Sequence, residues 1–341
     1  MKYIKETKKP YISVIITAYN RKEYILEAFK SAINQTLDRD KYEIIVSKNF
    51  KDTDLDNYIR KNNGKLIYFK DRYIGEQLVD AIQHAQGEVI CFLDDDDLFS
   101  KDKLKFVYST FNKNKNISYL HNYEYFINNK GKILNIKFNK YKINKSFLLN
   151  RWNIEVLNLI KLEQNYDSIF NISSISLKKD NLIDYLIQLK RLNANTDGFM
   201  YFVSLNSKTN LYFCNQKLTY YRIHKSTSLN MTNYENYKNN LLREYERTYK
   251  SLIPLLDVFD NKAIKSYLLY WLREREMFYY FYKGNFRIKV TIDLIKNLPY
   301  MFFSIPKRAV LRSGQVLFYL VSPKKFRKFN YKVFKDNFIK S

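Results

Sequence analysis

The chain has 341 residues and carries 59 Lys and Arg against 34 Asp and Glu, a formal charge of +25. That length fits one large domain or two ordinary ones, and two cysteines, Cys91 and Cys214, exclude a disulfide framework or a cysteine-rich zinc scaffold. Charged residues at 27% and hydrophobic ones at 46% exclude a disordered chain, while the cationic excess draws polyanions: nucleic acid, anionic lipid or nucleotide phosphate.

The N-terminal residues are charged and lack the apolar run of a secretory signal. The stretch nearest to a spanning helix, Asn297 to Val321, is broken by Lys307, Arg308, Arg312 and two prolines. The expectation is a cytoplasmic protein without a membrane span. Ile12–Thr17 is a β-branched run of buried-strand type. Asn20 is then expected to cap a helix whose apolar positions Ile25, Ala28, Phe29, Ala32 and Ile33 keep helical spacing. Tyr42–Val46 and Lys65–Phe69 read as the next strands and Ile74 to Ala85 as a helix. Val89–Leu93 is a fourth strand, running straight into four aspartates, Asp94 to Asp97. Alternating strands and helices imply a mostly parallel sheet covered on both faces, with ligands bound beyond the strands' carboxyl ends. Residues 100 to 230 are less regular and rich in aromatic strands, and from Asn233 the pattern turns helical. The boundary is drawn near 230, giving an α/β domain over 1–230 and a helical, basic and aromatic region over 231–341.

The four aspartates stand out against the cationic background. Adjacent carboxylates repel one another, and a divalent cation would relieve the repulsion. Asp94 and Asp96 form an Asp-x-Asp pair able to approach one Mg²⁺ or Mn²⁺, with diphosphate oxygens completing its shell. The structural alternative is a solvated acidic turn with Asp97 as a helix N-cap.

Ser13–Arg21, Ala28–Thr36, Tyr42–Val46, Gly75 and Ala85–Asp97 together resemble the opening of family 2 glycosyltransferases. The resemblance covers about residues 11 to 230. It implies the GT-A fold, a nucleotide-binding α/β sandwich whose Asp-x-Asp holds metal and donor diphosphate. Further on, Asn195–Met200 is similar to the short acidic motif that supplies the family's catalytic base. This implies that Asp197 takes the acceptor hydroxyl's proton in an inverting transfer; the alternative is that Asp197 only caps the following helix. Tyr221–Ser228 resembles the loop closing over the donor, with Arg222 and His224 set to meet the diphosphate or the metal. The donor-binding set is thus Thr17, Ala18, Tyr19, Asn20, Arg21, Lys48, Asn49, Gly75, Asp94, Asp95, Arg222 and His224. His84 and His121 are expected to be structural.

Two departures from the family pattern concern the nucleobase. Where acidic base-readers usually follow the second strand, this chain has Ser47-Lys48-Asn49-Phe50, and an ammonium can only donate. The family's Arg-Asn pair before the fourth strand is replaced by Leu78 and Val79. Residues 296 to 341 hold eleven basic side chains and one acid, Asp336, interleaved with Phe and Tyr. That mixture suits an anionic membrane surface, single-stranded nucleic acid, or a solvated face over a helical core. The reading that follows is a metal-dependent, inverting glycosyltransferase moving a sugar from a nucleotide-sugar donor to a glycan or lipid-linked acceptor, peripheral at the inner membrane face. The alternatives are a basic nucleic-acid-binding protein, which leaves the aspartates and Asp197 unexplained, and a catalytically silent GT-A binding module.

Overall fold

A computed structural model describes residues 9–70, 73–135, 145–150, 170–224, 233–284 and 317–338, with the single positions 155, 159, 314 and 315. Two compact units emerge: residues 1–127, 143–151 and 168–222, and residues 128–142, 152–167 and 223–341.

Among the described residues the first unit has nine strands: β1 (Ile12–Ala18), β2 (Tyr42–Lys48), β3 (Gly64–Tyr68), β4 (Val89–Asp94), β5 (Leu98–Phe99), β6 (Ile117–Ile127), β7 (Phe147–Leu149), β8 (Ile175–Lys178) and β9 (Asn210–Arg222). They lie in the order β3-β2-β1-β4-β8-β6-β9-β5, with β7 paired to β9. Among the described strands β1 to β4, β6 and β9 share one direction, and β5, β7 and β8 oppose it. The expected mostly parallel sheet is therefore present, with antiparallel strands added from the less regular middle of the chain.

Period-two alternation explains the layering. Ile12, Val14 and Ile16 of β1, Ile44 and Val46 of β2, and Cys91 and Leu93 of β4 share one core. Packed in the same core are helix α1 (Ile25–Ile33) through Ala28 and Phe29, α2 (Thr53–Lys61) through Leu55 and Ile59, and α4 (Lys103–Lys113) through Leu104, Val107 and Phe111. From α3 (Ile74–His84), the buried Gln77 donates to the Ser47 carbonyl at 2.7 Å. Two short helices, α5 (Asp180–Ile183) and α6 (Leu186–Lys190), precede α7 (Thr196–Leu205).

One expected start fails. Helix α1 begins after Tyr24, not at Asn20. Asn20 takes φ +55°, a left-handed conformation that asparagine tolerates better than most residues, and its side chain is engaged elsewhere.

The second unit contains α8 (Tyr234–Leu252), α9 (Lys262–Lys283) and α10 (Pro323–Phe338). Asn233 caps α8 through the Asn236 N–H, and Asn261 caps α9 through the Ala263 and Ile264 N–H groups. Gly284 ends α9 at φ +89°, where a side chain would be strained. Aromatic rings supply much of this unit's packing: Tyr245 stacks on Phe278 at 5.6 Å and Phe281 on Tyr319 at 4.0 Å. Of the expected basic tail, residues 296–313, 316 and 339–341 lie outside the described residues.

Candidate active site

Register brings the carboxyl ends of three strands together: Ala18 of β1 lies opposite Lys48 of β2, and Thr17 opposite Asp94 of β4. The aspartates continue β4 into a turn closed by the Asp97 N–H donating to the Asp94 carbonyl at 3.2 Å. Asp94 is anchored from behind, its N–H donating to Ser173 Oγ at 3.0 Å.

The four carboxylates part company here. Asp95 is buried and turns to Arg21, whose Nε donates to its Oδ2 at 2.9 Å. A second Arg21 nitrogen closes on Asp95 Oδ1, and Nη1 reaches Asp96 Oδ2 at 2.7 Å. Asp94, Asp96 and Asp97 each offer an oxygen within 4.8 Å of the other two. Burial first, then Asp96, Asp97 and Asp95, push the Asp94 carboxyl well above the usual range, against the pull of Arg21. Burial and Asp96 push Asp97 up to about 7, against the hydrogen bond from the Arg222 N–H. Asp97 Oδ2 is buried with no hydrogen bond of its own. Convergent hard oxygens, crowded charge and one bare buried oxygen fit a hard divalent cation such as Mg²⁺ or Mn²⁺. Asp97 also fails as a helix cap, since β5 follows it and α4 starts only at Lys103.

Arg222, at the end of β9, braces the turn. Its N–H donates to Asp97 Oδ1 at 3.0 Å, its Nε to the Asp96 carbonyl at 2.8 Å, and its Nη2 to Glu27 Oε2 at 2.7 Å. The guanidinium lies over the Tyr24 ring, 4.3 Å from its centroid, and the residue is fully buried. These three hydrogen bonds go to protein groups, where the sequence suggested a contact with the diphosphate or the metal.

Lys48 is likewise turned inward. Its ammonium meets Asp56 Oδ1 at 2.8 Å and donates to the Phe50 carbonyl, while the Tyr68 hydroxyl closes on the other Asp56 oxygen. The Lys48 side chain is 0% exposed and Asp56 holds it there, so the sequence expectation of an ammonium facing a base gives way to a buried ion pair. At the surface beside it, Asn49 donates from Nδ2 to Asn20 Oδ1 at 2.8 Å and accepts the Asn20 N–H at 2.8 Å. Thr17 and Ala18 are buried, while Tyr19 is 45% exposed. Gly75 packs where no side chain fits: a Cβ would come within 1.8 Å of the Leu189 carbonyl oxygen.

Asp197 lies in the first turn of α7, which follows Asn195 at φ +60°, and accepts the Gly198 N–H at 2.8 Å. The Tyr221 phenol is pushed up by burial and then by Asp97, Asp96, Asp94 and Asp197. One phenol thus feels both the aspartate turn and Asp197. His224 belongs to the second unit, and residues 225–228 of the expected loop lie outside the described residues. His121 is buried, Nε2 donating to the Phe170 carbonyl at 2.7 Å, and burial drives it down to about 4. Sequence reasoning missed Asp97 as a third convergent carboxylate, Glu27 as the partner of Arg222, and Ser173 behind Asp94. No local pattern marks the last two.

Residues 13–170 match the family model described as glycosyl transferase family 2. The uncharacterized glycosyltransferase RC0461 of Rickettsia conorii is 35% identical over 127 residues, 36% of this chain. The chain spans about a fifth of the length of that relative (20%). Residues 1–349 of S. aureus TarS, solved in complex with UDP-GlcNAc, superpose with a TM-score of 0.56 at 15% identity, covering 97% of this chain and 92% of that one. The mannosyltransferase PcManGT from Pyrobaculum calidifontis, in complex with GDP-Man and Mn²⁺, gives 0.51 at 16% identity, covering 98% of this chain and 88% of that one. These likenesses identify the architecture as GT-A.

Proposed function

The chain belongs to glycosyl transferase family 2, and on that premise we propose that it is an inverting, metal-dependent glycosyltransferase using a nucleotide-sugar donor. The observation that carries this reading is the convergence of Asp94, Asp96 and Asp97 beyond the carboxyl end of β4, beside the ends of β1 and β2. Asp94 and Asp96, with Asp97 behind them, would hold Mg²⁺ or Mn²⁺. Such a cation supplies neutralising charge for the departing nucleoside diphosphate.

The protein's own groups do the rest. Thr17 to Arg21 and the Asn20–Asn49 pair line the donor side, with the outward amide groups facing the nucleobase. Arg21 holds Asp95 and Asp96 in place beside Asp94. Asp197 accepts the acceptor hydroxyl's proton as that oxygen attacks the anomeric carbon from the face opposite the leaving group, which inverts the configuration. Arg222 acts in this reading by bracing the turn. The acceptor is a hydroxyl of a glycan or a lipid-linked saccharide.

The second unit bears on where that acceptor is met. Lys324, Lys325, Lys328 and Lys332 are exposed on α10, near the exposed Leu317, Leu320, Val321 and Phe329. This pairing of cations and apolar side chains supports a peripheral contact with an anionic membrane at the cytoplasmic face. Among the described residues no helix is long and apolar enough to cross a membrane.

The test is transfer and hydrolysis of UDP- and GDP-sugars by the full chain, with Mn²⁺ and with chelator, alongside Asp96→Ala. Turnover in Mn²⁺ only, and loss of metal-dependent donor affinity in Asp96→Ala with an unchanged circular-dichroism spectrum, are expected. Chelator-insensitive turnover, or unaltered calorimetric affinity in Asp96→Ala, removes the metal assignment.

A further inference from the structure

A lysine lies where the fold should least welcome one. Lys103 opens α4, where the helix dipole disfavours a cation, and its side chain is completely buried. Burial pushes its ammonium down to about 8. Two unfavourable terms at one position call for a compensating role, and the hydrogen bonds indicate it.

All three ammonium protons are used, on two strands and on the short helical turn Ile172–Ser174. Nζ donates to Asn122 Oδ1 of β6 at 2.9 Å, to the Ser173 carbonyl at 2.5 Å, and to Thr219 Oγ1 of β9 at 3.0 Å. The acceptors are also joined to one another. Asn122 Nδ2 donates to Thr219 Oγ1 at 3.0 Å, and the Thr219 hydroxyl donates to the Ser173 carbonyl at 3.1 Å. The Phe99 ring lies against the ammonium, 4.4 Å from centroid to Nζ. Every acceptor is neutral, so the cation is held by dipoles and satisfied in full.

Ser173 carries the network to the aspartate turn. Its carbonyl takes the Lys103 and Thr219 protons, its N–H donates to Asn171 Oδ1 at 2.9 Å, and its Oγ accepts the Asp94 N–H at 3.0 Å. Asn171 holds φ +62°, a conformation that needs fixing from outside. We propose that Lys103 is a positioning residue for the aspartate turn: it holds Ser173 in place, and Ser173 holds Asp94. This rests on reading Asp94, Asp96 and Asp97 as the metal-binding turn. Lys103 makes no hydrogen bond to a carboxylate of that turn; its hydrogen bonds reach the turn through Ser173, and its charge also acts on Asp97 across space.

The experiment uses the full chain and Mn²⁺ alone, titrated by electron paramagnetic resonance, with Lys103→Met, Ser173→Ala and the double variant. Methionine fills similar space but donates nothing, and Ser173→Ala removes only the Oγ link. Each single change should weaken Mn²⁺ by roughly tenfold or more, the scale of outer-shell losses at metal sites. The double variant should be no weaker than the worse single one. Unchanged Mn²⁺ affinity in Lys103→Met, or effects that multiply, overturn the proposal.

A second readout separates this from the metal reading. Amide exchange at Asp94 and at 173–174 in the metal-free protein should accelerate in Lys103→Met beyond the change in global unfolding; exchange that only follows global unfolding refutes the proposal. If the wild type binds no Mn²⁺, the metal reading fails and exchange alone decides Lys103. If Lys103→Met does not fold, Thr219→Val removes one acceptor and keeps the charge. It should shift both readouts in the same direction by less, and no shift overturns the proposal.

Discussion

Arg222 reaches Glu27 across 195 positions of sequence, Nη2 to Oε2 at 2.7 Å, and in doing so ties the end of β9 to α1 behind the aspartate turn. The two ends of this pair differ in exposure: the Arg222 side chain is 0% exposed and Glu27 52%. An ion pair with one end in water is worth little by itself, so Glu27→Gln should cost under about 1 kcal/mol. Arg222→Met also strips the Asp96 carbonyl and leaves buried acceptors bare, and should cost roughly 2–3 kcal/mol. Urea unfolding of both variants checks the contrast; equal losses would put the energy in the ion pair.

Asp197→Asn keeps size and most hydrogen-bonding capacity but cannot take a proton. Donor affinity should persist while transfer falls by about 10²- to 10⁴-fold. Single-turnover transfer beside calorimetric donor binding separates the two effects. A near-normal rate would assign the base elsewhere.

Lys48→Met should act on folding before specificity. Removing the ammonium leaves the Asp56 carboxylate, 6% exposed, without its counter-ion, a loss of about 3–5 kcal/mol. Preference between uracil and guanine donors should stay as in the wild type, since Asn20 and Asn49 carry the exposed groups. Equilibrium unfolding and a donor competition assay test the two halves. A switched preference in a stable variant would return Lys48 to the donor site.

His121 sets a pH dependence with a definite sign. Its pKa falls from 6.5 in the unfolded chain to about 4 in the fold. Between those values the unfolded chain binds more protons, so stability rises with pH across the window and is lost as pH falls from 6.5 towards 4. This contribution is on the order of 3 kcal/mol when fully expressed. His121→Gln should remove this slope, read as the wild-type minus variant difference in unfolding free energy from pH 7 to pH 4. A difference that is flat with pH would contradict a buried neutral imidazole.

The exposed lysines of α10 make vesicle binding salt-sensitive. Each cation near an anionic surface contributes about 1 kcal/mol and is screened within a Debye length. Co-sedimentation with anionic vesicles should weaken as salt rises, yet not vanish, because Leu317, Leu320 and Val321 add a salt-insensitive part. Changing Lys324, Lys325, Lys328 and Lys332 together to Gln should release most of the protein at low salt. Equal sedimentation of both forms would mark α10 as packing alone.

The sequence by itself determined most of the elements and where the aspartates fall among them. Runs such as Ile12–Thr17 and Val89–Leu93 are short, apolar and rich in β-branched residues, as buried strands are, and the spacing of Ile25, Ala28, Phe29 and Ala32 matches a helix. Four aspartates directly after a buried strand point to the carboxyl end of the sheet as the place for chemistry. Tertiary structure decided which way the side chains face. Asn20 reads locally as a cap but enters a left-handed turn bonded to Asn49. Lys48 reads as a surface ammonium but turns inward to Asp56, and Lys103 is silent until Asn122, Ser173 and Thr219 close around it. A charged side chain's direction depends on whether partners distant in sequence repay its desolvation, and that balance exists only once the strands and helices have packed.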